Sequence, residues 1–334
     1  MPRPLITGLA GKELRADERA FLEDRQPLGI ILFARNIETP EQVAALVEDC
    51  RSILGPRCWV LIDQEGGRVA RLRPPYWPAR PAAGTLGALP LSQAEEGVYL
   101  AARLMAHDLY ELGINVDCHP VLDIPAPGSH EIIGDRAFGT DPDRVARLGE
   151  AACQGLLDGG VLPVIKHIPG HGRATADSHE HLPVVDTEGR DLAADFAPFR
   201  ALASAPVAMT AHVVYSAYDQ ERPATLSSTV IQQVIRGQIG FEGVLLSDDL
   251  NMKALSGPMA ERVANALAAG CDVVLHCNGN LTEMIEAADA CGTLEGEALA
   301  RVEAATRKLH PPKPFDRSAD EARLADLLGG MGRR

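Results

Sequence analysis

What this sequence has little of narrows it first. No run approaches the 18 or more apolar residues that a helix needs to cross a bilayer, so no membrane span is expected. Basic residues are in deficit: 32 Lys and Arg stand against 46 Asp and Glu, a net charge of −14. That balance argues against nucleic acid or an anionic membrane as partner and suits a solubilising acidic surface. The seven cysteines (50, 58, 118, 153, 271, 277 and 291) are odd in number and scattered, with no Cys-x-x-Cys pair. The N-terminal run Met1-Pro-Arg-Pro-Leu5 starts as a strand and carries no apolar signal region. The cysteines therefore read as reduced thiols packed in a core, and a cytoplasmic location is expected. No Gly-x-Gly-x-x-Gly follows an early strand, which removes the main support for a dinucleotide-binding fold. Aromatic residues make up 4%, with Trp59 and Trp77 the only tryptophans, so a long stacking cleft for a polymer is not expected. Trp77, in a Pro-rich loop, is either a stacking platform or a packed anchor.

What is present is regular alternation. Short apolar, β-branched runs at 5–8, 29–33, 59–63, 115–119, 161–165, 207–210, 243–247 and 272–276 read as strands. Between them, 40–53, 93–112, 143–157, 227–239, 259–269 and 281–291 place apolar residues at helical spacing. Thr39-Pro40, Asp141-Pro142 and Ser227-Ser228 read as helix starts. Alternating strand and helix predicts a parallel sheet covered by helices, and eight strands favour a single (β/α)8 TIM-type barrel spanning 1–334. From about residue 311 a non-helical crossing and one short helix read as a C-terminal extension, too small for a second domain. No internal repeat is visible.

The polar residues that invite chemistry follow the strand candidates. They are Asp63-Gln-Glu65-Gly-Gly-Arg-Val-Ala-Arg71, Gly134-Asp135-Arg136, Lys166-His167 with the loop to His181, and Ser247-Asp248-Asp249. In a barrel these loops converge on one face. Asp248, ending a buried strand, suits a nucleophile or general base, although Asp also favours a helix N-cap. Of two adjacent carboxylates in strand geometry only one faces the cavity. Asp248 is given the catalytic place and Asp249 a structural one. Four of the ten histidines (His167, His171, His179, His181) fall in 166–181. In an extended segment Asp177 and His179 share a side, so a carboxylate could fix the imidazole tautomer and favour its charged form. Taken alone, that pair reads more readily as a loop-stabilising contact than as a catalytic dyad. Ser178 points away, which disfavours a serine triad. Four histidines and an aspartate in one loop raise a zinc site, but Gly170 and Gly172 beside His171 suit a movable loop better, and no metal or cofactor is expected. Arg71, Arg136 and Lys166 could bind a polyhydroxylated ligand or simply pair with surface carboxylates, and buried Asp63 needs partners.

In their order, Asp63-x-Glu-Gly-Gly-Arg-Val-x-Arg71, Gly134-Asp-Arg136-x-Phe138, Lys166-His-x-Pro-Gly-His-Gly-x-x-Thr-x-Asp-Ser-His179 and Ser247-Asp248-Asp resemble glycoside hydrolase family 3, and more narrowly its bacterial β-N-acetylglucosaminidase branch. The resemblance runs from about residue 4 to 310. It implies a retaining, exo-acting hydrolase of terminal β-linked N-acetylglucosamine, acting on N-acetylglucosamine joined to 1,6-anhydro-N-acetylmuramic acid in cell-wall recycling. It further implies Asp248 as nucleophile, His179 as acid/base and Asp177 as its partner. Asp63, Arg71, Arg136, Lys166 and His167 are implied to bind sugar. His171 and His181 are taken as structural. A small-molecule substrate is the expected partner, and a monomer is expected. The rival readings are a β-glucosidase or a phosphorylase of the same family, a metal-dependent amidohydrolase, and a non-enzymatic sugar-binding protein.

Overall fold

Eight of the apolar runs become eight parallel strands that close on themselves. A computed structural model describes residues 1–174, 176–178 and 180–329. The strands are β1 (Arg3–Gly8), β2 (Pro27–Leu32), β3 (Trp59–Ile62), β4 (Val116–Asp117), β5 (Leu162–Ile168), β7 (Val207–Thr210), β9 (Val244–Asp249) and β10 (Val273–His276). They form a closed barrel in the order β1-β10-β9-β7-β5-β4-β3-β2. Two further strands, β6 (Val184–Val185) and β8 (Val214–Tyr215), pair beside it as a separate two-stranded sheet.

Period-two alternation divides the strand side chains between two cores. Ile6, Ile31, Leu61, Val116, Leu162, Val164, Val207, Met209, Val244, Leu246, Val273 and Leu275 fill the barrel interior. Their neighbours Leu5, Ile30, Val60, Ile62, Ile165, Ala208, Leu245 and Val274 pack outward against the helices. The helical layer comprises α1 (Ala16–Arg25), α2 (Pro40–Leu54), α3 (Ala83–Gly87), α4 (Leu91–Glu111), α5 (Pro142–Asp158), α6 (Ala193–Ala201), α7 (Met259–Ala269), α8 (Leu281–Cys291), α9 (Gly296–Thr306) and α10 (Arg317–Gly329). The segment Val230–Ile239 is wound as a π-helix.

The helix starts behave as their chemistry requires. Thr39 accepts from the Gln42 amide at 3.2 Å and Asp141 from the Arg144 amide at 2.7 Å, each followed by proline at the first helical position. Ser227 accepts from Val230 N at 3.2 Å. After the non-helical stretch beyond α9, the guanidinium of Arg103 lies 4.0 Å from the Phe315 ring centroid, and α10 packs Leu324 and Leu327 into the outer core. The seven cysteines are free and buried.

Candidate active site

The inward-facing row of several strands continues past its apolar residues into polar ones at the C-terminal end of the barrel. Leu61 is followed inward by Asp63, Val164 by Lys166, and Leu246 by Asp248. Parallel strands present that end to the βα loops, where the sheet holds a side chain rigidly while the loops leave room for a ligand.

Charges of opposite sign alternate across this mouth. Arg71 donates to Asp63 Oδ2 at 3.1 Å, and Lys166 Nζ lies 2.9 Å from Asp63 Oδ1 and 2.7 Å from Glu65 Oε1. Arg136 clasps Glu65 with two bonds of 2.8 Å. Burial would lower the Lys166 ammonium, but Asp63 and Glu65 outweigh it and hold its pKa above the usual range. Burial would likewise raise both carboxylates. Lys166 with Arg71 at Asp63, and Lys166 with Arg136 at Glu65, pull them below the ordinary range. The array is thus fully ionised at neutral pH and fixed before any ligand arrives. Arg68 donates to Asp135 at 2.8 Å and ties the loop bearing Arg136 to the loop after β3.

The two carboxylates at the tip of β9 have different tasks. Asp249 Oδ1 accepts from the backbone amides of Asn251 at 3.0 Å and Cys277 at 3.2 Å, so it fastens the loop after β9 to the end of β10. Burial, with Asp248 adding to it, pushes Asp249 up to about 6. Asp248 continues the inward row and is half-buried, and its Oδ1 accepts from the Asp249 amide at 2.8 Å. Its own amide faces Thr210 Oγ1 at 3.4 Å. Thr210 Oγ1 in turn meets Thr225 Oγ1, which bonds His212 Nδ1 at 2.7 Å, a polar scaffold behind the β9 tip.

The His-rich segment begins inside β5. His167 is 7% exposed, and its Nδ1 lies 2.7 Å from Asp123 Oδ2. Asp123 Oδ1 also accepts from the His167 amide at 3.2 Å and the His171 amide at 2.6 Å. Here Gly170 and Gly172, expected to mark a movable loop, have another reason for being there. A Cβ on Gly172 would sit 1.9 Å from the Ile124 carbonyl oxygen, and Gly170 has φ +138°. Both are buried, and Tyr215 Oη donates to the Gly170 carbonyl at 2.6 Å, so this stretch is packed rather than loose.

Further along, the amides of Glu180 and His181 both donate to the Asp177 carbonyl, at 3.0 and 2.9 Å. The segment closes into a turn where an extended run was expected, so the period-two argument for pairing Asp177 with His179 falls away. His179 lies outside the described residues, as does Thr175. Ser178 is buried and its hydroxyl meets His171 Nε2 at 3.1 Å.

Asp63, Arg71, Arg136 and Lys166 therefore meet in one ion-paired cluster, and their partners are carboxylates of the mouth rather than of the outer surface. Trp77 is 7% exposed and packs in the outer core, which makes it a loop anchor. Sequence reasoning missed Glu65 as the hub between Lys166 and Arg136, although it stands two residues from Asp63. It also missed Asp123, whose signal was a carboxylate directly after the apolar Pro120-Val-Leu run.

His119 was missed as well. It follows β4, is 3% exposed, and packs edge-on against Phe138 at 6.2 Å. Burial lowers its pKa to about 4. Since the folded value lies below the unfolded one, this group's share of stability is complete above about pH 6.5 and is lost as pH falls toward 4, roughly 3 kcal/mol. Between pH 7 and 4.5 the unfolding free energy should fall less for His119→Leu than for the native chain. Equal declines would show that His119 is not held neutral by the fold.

Comparison with known proteins agrees with this geometry. Residues 6–310 match the family model described as the glycosyl hydrolase family 3 N terminal domain. A β-hexosaminidase of Alkalilimnicola ehrlichii is 42% identical over 284 residues, covering 82% of this chain and 80% of that one. A β-hexosaminidase of Thiobacillus denitrificans is 38% identical over 99% of this chain and 94% of its own length. Among solved structures, NagZ from Neisseria gonorrhoeae in complex with N-trifluoroacetyl-D-glucosamine superposes with a TM-score of 0.86 at 33% identity, covering 98% of both chains. A family match over most of the length, carried on a closed eight-stranded barrel, places this chain in glycosyl hydrolase family 3 and makes it a glycoside hydrolase.

Proposed function

We propose that this protein is an exo-acting, retaining β-N-acetylglucosaminidase that removes terminal non-reducing β-linked N-acetylglucosamine through a covalent glycosyl-Asp248 intermediate. The observation that carries the reading is the half-buried Asp248 carboxylate on the inward row of β9, opposite the prefixed Asp63–Lys166–Glu65–Arg136 array at the tips of β3 and β5. A rigid nucleophile facing a rigid set of donors and acceptors is what a sugar ring with several hydroxyls and one electrophilic carbon requires.

In this scheme Asp63 accepts from sugar hydroxyls, Arg71, Arg136 and Lys166 donate to sugar oxygens, and His167 binds a sugar hydroxyl through Nε2. Asp248 attacks the anomeric carbon as the glycosidic bond breaks, and His179, protonated and oriented by Asp177, gives its proton to the departing oxygen. The resulting ester is opened by water, whose proton returns to His179, and two inversions leave the configuration retained. The general glycosidase scheme uses two carboxylates; here imidazole replaces one of them. No cofactor enters. We assign as natural substrates the small muropeptide fragments in which N-acetylglucosamine is joined to 1,6-anhydro-N-acetylmuramic acid, handled by a cytoplasmic monomer during peptidoglycan recycling. The reduced, buried state of all seven cysteines supports that compartment.

A substrate panel tests this. The protein should hydrolyse 4-nitrophenyl N-acetyl-β-glucosaminide, prefer it to the β-glucoside, form no sugar 1-phosphate in phosphate buffer, and keep its activity in chelator. Faster turnover of the glucoside, a 1-phosphate product, or loss in chelator would each select a different reading. His179→Ala should cost about 10²- to 10⁴-fold on a disaccharide with a poor leaving group, and far less on the nitrophenyl substrate. Equal losses would remove His179 as the acid.

A further inference from the structure

We infer that Ser178 and His171 form a latch, anchored on the buried Asp123 carboxylate, that seats the turn bearing Asp177, the proposed partner of His179, at the barrel mouth. Asp123, His171 and Ser178 are then positioning residues for the acid/base step. The inference deepens the glycosidase reading and rests on it.

The latch is built from residues that no part of the reaction scheme uses. Asp123 has no exposure, and one carboxylate collects three donors: the amide and ring of His167 and the amide of His171. It therefore fixes the orientation of a proposed sugar-binding imidazole and the start of the loop together. The His171 ring lies 5.7 Å from the His167 ring, edge to face, and is 3% exposed. Burial, helped by His167, keeps the His171 ring uncharged by lowering its pKa to about 4. Its Nε2 meets the Ser178 hydroxyl at 3.1 Å, and its Nδ1 has no hydrogen-bond partner among the described residues. The bond to Ser178 is thus the ring's polar anchor within them.

Among the described residues from 177 to 182, Ser178 is the buried point. It is 3% exposed, whereas Glu180, His181 and Leu182 are exposed and Asp177 is half-buried. Its carbonyl also accepts from the Ala254 amide at 3.2 Å, in the loop that follows Asp248 and Asp249. One residue therefore touches both sides of the mouth: its side chain reaches the β5 side that carries His167, and its backbone the β9 side that carries the nucleophile. In sequence it stands between Asp177 and His179, the two residues whose placement governs proton transfer. A displacement of about 1 Å at such a site is worth about 10²-fold in rate.

Ser178→Ala removes the hydroxyl and little else. The expected result is a fall in kcat of about 10- to 100-fold on a β-linked N-acetylglucosaminyl disaccharide, with KM within about threefold, and less than about threefold loss on the nitrophenyl substrate. Ser178→Thr, which keeps the hydroxyl, should restore most of the disaccharide rate. His171→Gln, which keeps an amide near the position of Nε2, should lose less than His171→Phe. Equal losses on both substrates, or a change confined to KM or melting temperature, would overturn the latch. Asp248→Ala measured alongside separates the two levels. If Asp248→Ala is inactive while Ser178→Ala shows no leaving-group dependence, only the latch fails. If Asp248→Ala retains turnover, the glycosidase reading fails with it.

Discussion

Asp248→Ala is expected to lower kcat on the nitrophenyl N-acetylglucosaminide by on the order of 10⁴-fold or more, because loss of the nucleophile removes the covalent route entirely. Among the described residues, the neighbouring carboxylates at the tips of β9 and β3 are held by other partners. Asp249 is turned to the amides of Asn251 and Cys277, and Asp63 is held between Arg71 and Lys166. The fold should survive the change, since Asp248 is half-buried at the rim, and losing its bond to the Asp249 amide costs about 1 kcal/mol. An unchanged circular dichroism spectrum with activity within tenfold of the native enzyme would remove Asp248 from the chemistry.

The largest effect on stability is expected at Lys166. Its ammonium is 2% exposed and bridges two carboxylates, so Lys166→Met leaves Asp63 and Glu65 buried without the charge between them. Breaking a buried pair in this way costs about 3–5 kcal/mol, and a chain of this size should then melt roughly 5–15 °C lower. The pH dependence carries the sign of the cause. In the native chain both carboxylates are held below their ordinary range, so their stabilising share is present at neutral pH and disappears only on strong acidification. In the variant each carboxylate keeps one arginine, Arg71 or Arg136, but burial is less fully compensated and favours the protonated forms more, so the gap to the native chain should narrow between pH 7 and 5. Thermal melts at both values check this, and a gap that stays constant would show that the lost contacts are steric rather than ionic. Activity should fall as well, because Arg71 and Arg136 lose the ion that spaces their partners.

Much of the barrel could be read from the chain, because a parallel strand buried on both faces is written as a short, dense apolar run. All eight runs lie in barrel strands, with boundaries displaced by a few residues. The helices were less legible where burial is slight. α1 buries only Glu18, Phe21 and Leu22, and α9 only Val302 and Ala305, so neither carries a wide apolar stripe. The nine-residue α6 has Pro198 inside it, which reads as a break. At the site, Asp63, Lys166 and Asp248 were legible from strand ends and alternation alone. Glu65 and Asp123 were not, because their role is to hold other side chains, and a hub is defined by contacts between residues distant in sequence, Glu65 to Lys166 and Asp123 to His167. The turn at Asp177 had a local signal, since Asp and Ser both favour turns, but the seat for Ser178 is built by His171 and the Ala254 amide.

The central claim is that Asp248 forms a covalent bond to the sugar. Its most direct test is mass spectrometry of the protein quenched during turnover of a slowly released N-acetylglucosaminide, followed by peptide mapping. The account predicts a mass increase of one glycosyl unit on the peptide containing Asp248, absent from Asp248→Ala. A glycosyl unit mapped to any other residue would contradict it, as would release of the α-configured sugar as the first product.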